Sequence, residues 1–465
     1  MAGAGHASAF QAVVLCGGEG SGLFPLTPQA CKALLPVANV PLLAYQLASL
    51  EAAGFDEALV VCHARHADEL TKFASAQPRG GLRVLVHALG EHSSGEEGTL
   101  MALRTLRDRV RGDVFVLAGD VITSAPLAAL ADLHRSRDAA VTMLLKQHKG
   151  TSSAEGRKVL RALSKHVVNY FGLVRVPGGA EDAQQVVMMK STTGDEALEL
   201  SKTVLARHPE VRLHADLVDG HVYVLRKWVF DLVCDGADKG PVASAVRAMP
   251  TLRTVFLPFF VNKVQAICEQ AALGRAVDAA LRVPYAAQAQ ARRGGLLSEY
   301  DKAGARQNAA LCLALVLPAE AYLMRCNTMF AYAMANHDLV AMAAAPAQPA
   351  QEPAPWPKPQ LQPGCKGTTV GRGCQLGERV MLTNCIVGAH CSIGAGAMLS
   401  NSVLMDHCSV GKGSVVQNCV LGPNVQVEDN CNLDSVQAQA GYTVAAGQRI
   451  KGQALSDDKS RGFAA

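Results

Sequence analysis

The sequence predicts an α/β domain with a mainly parallel sheet, then a proline-rich linker, then a three-sided parallel β-helix. Three observations carry this. From residue 10 to about 265, short apolar runs alternate with amphipathic helical stretches. Seven prolines fall between Ala343 and Gly364. Beyond them, apolar residues recur every 17 positions in three columns.

In the α/β part, Gln11–Cys16 (QAVVLC) reads as a short buried strand running into glycines. Pro41–Gly54 places Leu43, Leu47 and Leu50 at helical spacing, with Gly54 as the C-terminal stop. Glu57–His63 (EALVVCH) is a second strand, and Val114–Leu117 (VFVL) a third that ends at Ala118-Gly119-Asp120. Val141–Leu145 and Gly220–Leu225 follow. Strands separated by helices of this length require crossovers and so pair in parallel. Ligands in such sheets sit at the carboxyl ends of strands, where Gly17–Leu23 and Asp120 fall. Residues 266–342 are alanine-rich and read as a helical connecting region; within them Asn327–Leu339 reads as a helix with Asn327 as N-cap. The expected boundaries are 1–265 for the α/β domain, 266–342 for the connector, 343–364 for the linker, 365–452 for the β-helix and 453–465 for a tail.

The β-helix rests on arithmetic. Val370, Val387, Leu404 and Leu421 are each 17 apart, as are Leu376, Ile393, Val410 and Val427, and Leu382, Leu399, Val416 and Leu433. One coil cannot bury its own apolar column; stacked coils can. Gly371, Gly388 and Gly422 follow the first column and Gly377, Gly394 and Gly411 the second, where glycine is expected to tolerate the corner. Cys374, Cys391 and Cys408 share the spacing, and small apolar packing explains them better than a metal ladder. Asn384, Asn401 and Asn418 make a further column, read as an asparagine ladder at a turn.

Composition narrows the function. The chain has 465 residues, 49% of them hydrophobic, and a net charge of +4, with no Lys/Arg run of five, so no nucleic-acid footprint shows. The N-terminal stretch has no basic region before its apolar run, so no signal peptide is expected. Apolar runs such as Ala309–Pro318 fall short of the ~18 residues a membrane span needs. Fourteen cysteines contain no C-x-x-C pair and read as free thiols in a reducing cytosol.

Gly17, Gly18 and Gly20 follow a strand, where glycines let backbone N–H groups face a phosphate. Their spacing is neither of the two common phosphate-loop patterns. Val13–Val37 nevertheless resembles the start of the sugar-phosphate nucleotidyltransferase family in Leu23, Pro25-Leu26-Thr27, Lys32 and Pro36-Val37. Gly98-Thr99 before Ala102-Leu103 resembles that family's base-side motif, and Gly119-Asp120 its metal-binding aspartate. A β-helix after the α/β domain is the arrangement of its ADP-glucose and GDP-mannose pyrophosphorylases. The departures matter. Gly22 stands where the family's loop arginine holds the triphosphate, and losing one such donor costs roughly 3–4 kcal/mol, about 10²–10³ in rate. Ala33 replaces the proline after Lys32. The family's second metal carboxylate has only Asp219 and Asp231 as candidates, and the sugar-site lysine only Lys190. Two readings stand for the rest: Asp120 binds a metal or caps the next segment, Lys32 meets a phosphate or is a solvated surface lysine, and Gly17 and Gly18 cradle phosphate or serve a tight turn.

A second resemblance covers most of the chain. Leu198–Leu225 resembles the gamma subunits of eukaryotic translation initiation factor 2B in Lys202 to Leu205, Arg207-His208-Pro209, Arg212-Leu213-His214, Leu217-Val218-Asp219 and His221-Val222-Tyr223. Leu257–Val264, Tyr332 with Ala335-Asn336, and Asp120-Val121-Ile122-Thr123 extend it. The resemblance implies a nucleotidyltransferase-like, Rossmann-type domain followed by a left-handed β-helix. It implies a non-catalytic subunit of the cytosolic complex that replaces GDP by GTP on initiation factor 2. Its implied partners are the epsilon subunit, then alpha, beta and delta in the larger assembly, with no nucleic acid and no membrane. Gly17, Gly18, Gly20, Lys32 and Asp120 become a vestigial nucleotide-binding set, with no catalytic residue, no metal ligand and no required cofactor, although the pocket could still hold GTP or another phosphate ligand. The related epsilon subunits carry a further C-terminal helical domain, for which the tail Lys451–Ala465 leaves no expected room. Two enzymatic alternatives are an active sugar-phosphate nucleotidyltransferase and, more remotely, an acyltransferase using His390 or His407, which lie 17 apart.

Overall fold

A computed structural model describes residues 10–28, 30–76, 80–90, 98–148, 168–176, 183–192, 198, 202–235, 245–265, 310–345, 356–357, 359 and 367–456. The expected connector over 266–309, most of the expected linker at 343–364 and the end of the expected tail, 457–465, lie outside the described residues. The chain divides into two compact units, Met1–Gly18 with Ser49–Leu323 and Glu19–Ala48 with Met324–Ala465.

In chain order the elements begin β1 (Phe10–Leu15), β2 (Pro36–Val37), β3 (Val40–Pro41), α1 (Leu42–Ala52), β4 (Glu57–His63), α2 (Ala64–Ala76) and β5 (Arg83–Leu89). There follow α3 (Thr99–Arg104), β6 (Asp113–Ala118), β7 (Val121–Thr123), α4 (Leu127–Ser136) and β8 (Val141–Gln147). Then come β9 (Val168–Arg175), β10 (Ala183–Thr192), β11 (Arg212–His214), β12 (Leu217–Leu225), a helix at Lys227–Asp235, and β13 (Cys312–Leu317).

The first unit is built on a ten-stranded sheet ordered β11-β9-β10-β13-β8-β12-β6-β1-β4-β5. β1 pairs in parallel with β4 and β6, and β4 in parallel with β5. These strands are covered on both faces, which is why VVL and EALVVCH read as continuous apolar runs rather than alternating ones. β12 runs antiparallel between β6 and β8, and β10 antiparallel between β13 and β9. β9 and β10 follow each other too closely for a helical crossover, so they pair as neighbours in reverse. The core includes Phe115, Phe171, Phe230, Phe256 and Phe260, all fully buried.

Two elements depart from expectation. Cys312–Leu317 lies in the alanine-rich stretch read as helical, yet it is β13, seated between β10 and β8 with Cys312, Leu313 and Ala314 buried. A short run such as CLALVL fits a buried strand or a helix equally by periodicity; the open slot beside β8 decides it. The helix expected at Asn327–Leu339 runs Met329–Ala344, and its N-cap is Thr328, whose side chain accepts from the Ala331 amide.

The second unit carries the β-helix. Its strands form three parallel sheets, and the three apolar columns pair in the predicted register: Val370↔Val387, Leu376↔Ile393, Leu382↔Leu399, and onward. Beyond the four coils of the apolar pattern, and within the expected span 365–452, the stack continues through Ala438, Val444 and Ile450, where a small alanine interrupts the large apolar column. On the first face even the outward residues Ile386 and Val420 are 1% and 3% exposed, whereas Met381 on another face is 57% exposed. Asn39 donates to the Val387 carbonyl (2.8 Å) and His337 bonds the Asn401 backbone, so chain from 19–48 and the Met329–Ala344 helix both reach this face.

The asparagine column turns its corner as expected, whereas the corners are not turned by the glycines named from sequence. Left-handed φ falls in three columns: Gly367, Asn384, Asn401, Asn418, Ser435 and Gly452; Gly373, His390, His407, Asn424 and Gly441; and Arg379, Gly396, Gly413, Asn430 and Gly447. The glycines named from sequence stand two positions earlier and answer to close stacking. A Cβ at Gly388 would lie 2.6 Å from the Asp406 amide, and one at Gly411 2.5 Å from the Asp429 amide. Gly388→Ala is therefore expected to cost about 1–3 kcal/mol by overpacking, whereas Gly396→Asn, at a left-handed position with open space around it, stays within about 1 kcal/mol. Thermal unfolding of the two variants followed by circular dichroism checks the order.

Candidate functional site

In the first unit the sheet order reverses at β1, with β4 on one side and β6 on the other. Ligands of such sheets bind at that switch point, outside the carboxyl ends of the strands, here β1 and β6. Gly17 and Gly18 follow β1 there, and Asp120 follows β6. Asp120 is buried at the turn into β7. Gly119 is forced by close approach: its amide donates to Leu15 O (2.8 Å), and a Cβ would lie 2.6 Å from Cys16 Sγ. Neither Gly17 nor Gly18 has a left-handed φ. A Cβ at Gly17 would come 3.3 Å from Leu89, but one at Gly18 would meet no atom within 4 Å, so a tight turn does not require glycine at 18.

Asp219, a candidate second carboxylate, is buried and engaged from every side. Oδ1 accepts from the His221 amide (2.8 Å) and Tyr223 Oη (2.9 Å); Oδ2 accepts from Tyr223 Oη (2.9 Å) and Arg253 Nε (3.1 Å). Arg253 also donates to Asn169 Oδ1, which accepts from Ser191 as well. Burial alone would raise the Asp219 pKa, but the charges of His221 and Arg253, with the His221 amide and Tyr223 hydroxyl, hold it below the usual carboxylate range. A shift in strand register between Asp219 and Tyr223, with His221 left-handed, brings these groups together. Sequence reasoning missed Arg253, which stands in TLRTVF with no motif around it. The other candidate, Asp231, pairs with Lys227 one turn away on the 227–235 helix.

Lys190 lies on β10 opposite Tyr170 of β9 and is half-buried. Gly98-Thr99 opens α3 as a packing device: a Cβ at Gly98 would fall 2.1 Å from Pro250 O, and Thr99 Oγ1 accepts from the Leu252 amide (2.8 Å). Among the described residues, no three His, Cys, Asp or Glu side chains group as a metal site would need.

Gly20 and Lys32 belong to the second unit. Gly20 has φ 72 and caps the turn Ser21–Leu23, which contains Gly22. Thr27 Oγ1 donates back to Gly20 O (2.8 Å), so the P-L-T segment fastens the loop. Lys32 opens a second single turn, Lys32–Leu34, and is half-buried. Pro36-Val37 forms one side of a two-residue hairpin with β3, whose turn Ala38-Asn39 is left-handed at both residues. The Met329–Ala344 helix clamps that hairpin. Asn336 Oδ1 accepts from the Ala38 amide (2.8 Å), the Tyr332 hydroxyl donates to Pro36 O, and Tyr45 Oη donates to Val37 O (2.8 Å). Burial pushes the hydroxyl pKa of Tyr332 well up. Tyr332 and Asn336, noted from sequence as part of a resemblance, are thus the groups that hold the hairpin.

The repeated side chains of the β-helix take structural places. Asn384 donates to Asn401 and Asn401 to Asn418 (3.3 and 3.4 Å), an amide ladder along a corner. The cysteine column packs into the apolar core, each thiol donating to a carbonyl: Cys374 to Gly388, Cys391 to Met405 and Cys408 to Gly422. His390 and His407 stack at 5.2 Å on an exposed corner. No described cysteine is in a disulfide, and no helix among the described residues is long and apolar enough to cross a membrane.

The ten-stranded sheet and the three-faced stack of parallel strands define a nucleotidyltransferase-like α/β unit and a left-handed β-helix. Comparison with known proteins gives the same class: residues 11–153 match the Nucleotidyl transferase family model, and residues 361–451 match one described as GMPPB C-terminal domain. The chain is similar to "Translation initiation factor eIF2B subunit gamma" of Dictyostelium discoideum, 26% identical over 71% of this chain and 74% of the relative. It is 29% identical to the gamma subunit of Schizosaccharomyces pombe, over 48% of this chain and 47% of the relative. The epsilon subunit of Dictyostelium discoideum is 27% identical over 49% of this chain and 31% of that protein. A mannose-1-phosphate guanylyltransferase of Mycobacterium tuberculosis is 35% identical, over only 29% of this chain and 36% of the enzyme.

Proposed function

We propose that this protein is a non-catalytic subunit of the eIF2B complex, acting beside the epsilon subunit in the exchange of GDP for GTP on initiation factor 2. The observation that carries this is the gamma-subunit similarity, which spans 346 residues, far more than the α/β segment 11–153. In this reading the protein is cytosolic, its α/β domain covers 1–265 and its β-helix 365–452, and both are docking surfaces. Alpha, beta and delta subunits complete the assembly. Gly17, Gly18 and Asp120 in the first unit, and Gly20 and Lys32 in the second, are vestiges of nucleotide-binding motifs rather than working residues. Two features support that loss. Gly22 stands where transferases of this type carry an arginine, and the oxygens of Asp219 are already taken by Arg253, Tyr223 and His221. A metal ion there would have to displace an internal cation.

The competing reading, an active nucleotidyltransferase, draws on the guanylyltransferase similarity at 35% identity. Purified protein incubated with mannose 1-phosphate, GTP and Mg²⁺ is expected to release no pyrophosphate above a protein-free blank. Sustained release would replace the scaffold reading by the enzymatic one. Affinity purification from cells is expected to bring down the epsilon subunit in equal amount.

A further inference from the structure

We propose that Cys374 and Cys391 are an oxidant-responsive dithiol that closes to a disulfide across the first two stacked coils of the β-helix. The two residues occupy equivalent places in adjacent coils. Gln375 and Ser392, which follow them, are paired in parallel register, and the Gln375 amide donates to Cys391 O (2.9 Å). Stacked strands are about 4.8 Å apart, inside the roughly 4.4–6.8 Å that a disulfide spans between Cα atoms. Both thiols face inward along the same column, donating to Gly388 O (3.0 Å) and Met405 O (3.2 Å).

Access separates the members of this column. Cys374 is half-buried in the first coil of the stack, while Cys391 and Cys408 are each 1% exposed. An oxidant therefore meets Cys374 first, and among the described residues the thiol that interacts with it is Cys391. The environment also divides the roles. Bonding from Cys408 leads the effects that hold the Cys391 thiol below its ordinary pKa against burial, and the Cys374 thiol adds to it. Burial pushes Cys374 up. Cys391 is thus the readier thiolate to resolve an oxidised Cys374.

With hydrogen peroxide as oxidant the atoms balance. Cys374 Sγ attacks one peroxide oxygen, the O–O bond breaks, and the thiol proton leaves in water, giving a sulfenic acid. Cys391 Sγ then attacks the sulfenic sulfur, the S–S bond forms, the S–O bond breaks, and the departing hydroxide takes the Cys391 proton as a second water. Two thiols lose two electrons in all, and one peroxide gains them. The product pins this coil, whose Leu376 is 42% exposed in the first strand of its sheet, to the next coil of the stack.

The test uses the full chain, reduced, exposed to hydrogen peroxide, blocked with iodoacetamide and digested with trypsin without reductant. Residues 373–379 are expected to appear linked to 380–412, two hydrogens lighter than the separate peptides, with fragmentation placing the bond on Cys391. Dithiothreitol should abolish the species, Cys374→Ser should prevent it, and Cys408→Ser should retain it. Oxidation should also raise the melting temperature of the wild type and leave that of Cys374→Ser unchanged. A bond to Cys385 or Cys408 instead, or Cys374 carried to sulfinic acid with no linked peptide, overturns the proposal.

Discussion

Arg253→Met is expected to lower the unfolding free energy of the α/β unit by about 3–5 kcal/mol, the cost of stranding a buried carboxylate. Asp219 is 1% exposed at its side chain and Arg253 17%, so little water screens the pair. Adding Asp219→Asn to the same chain should recover about 2 kcal/mol, because the charge that needed a partner is gone. Acid discriminates further. In the wild type the folded Asp219 pKa lies below its unfolded value, so its contribution is present above that unfolded value and is lost as pH falls through the folded one. In Arg253→Met, burial pushes the carboxyl up instead, so the deficit should narrow as the pH is lowered and the group takes a proton. Urea unfolding can be followed through Trp228 fluorescence in a Trp356→Phe background. A deficit below 1 kcal/mol that ignores pH would show that Arg253 is not the counter-charge.

The second large effect is an acid instability set by His134. This ring is fully buried, bonds Thr142 Oγ1 through Nδ1 (2.8 Å) and meets Phe10 edge-on at 6.0 Å. Burial first, and the charge of Arg226 second, lower its pKa from 6.5 to about 3. Between those values the unfolded chain binds a proton that the folded chain refuses. Stability is therefore full above pH 6.5 and falls as pH drops, by about 1.4 kcal/mol per unit, reaching ~3 kcal/mol at pH 4.5. His134→Gln removes the titration, and its stability should decline less steeply over the same range. Parallel slopes for the two proteins would refute the assignment.

Legibility followed physical range. The β-helix could be read to the residue because each coil meets only its neighbours, so a period in sequence is a period in space. Ala438 fell outside the apolar column through its small side chain, and the reason for the stacking glycines escaped because close approach and left-handed φ both select glycine. β1, β4 and β6 were legible because strands buried on both faces show as apolar runs. β13 was not, since its alanine-rich surroundings favour helix and its slot beside β8 is non-local. Of the site residues, Gly17, Gly18 and Asp120 do gather at the carboxyl edge of the sheet. Arg253 left no mark in the sequence, because it meets Asp219 across 34 residues by tertiary placement alone.

The sequence by itself determined the two fold types, the register of the β-helix and the strand ends that meet at the switch point of the sheet. Each follows from local periodicity and turn chemistry, which need no knowledge of distant partners. Tertiary structure alone decided how Asp219 is used, which residues clamp the Pro36–Pro41 hairpin, and which cysteine of the column faces an oxidant. Those outcomes depend on charge and exposure, and both are fixed by what packs alongside from far away in the chain.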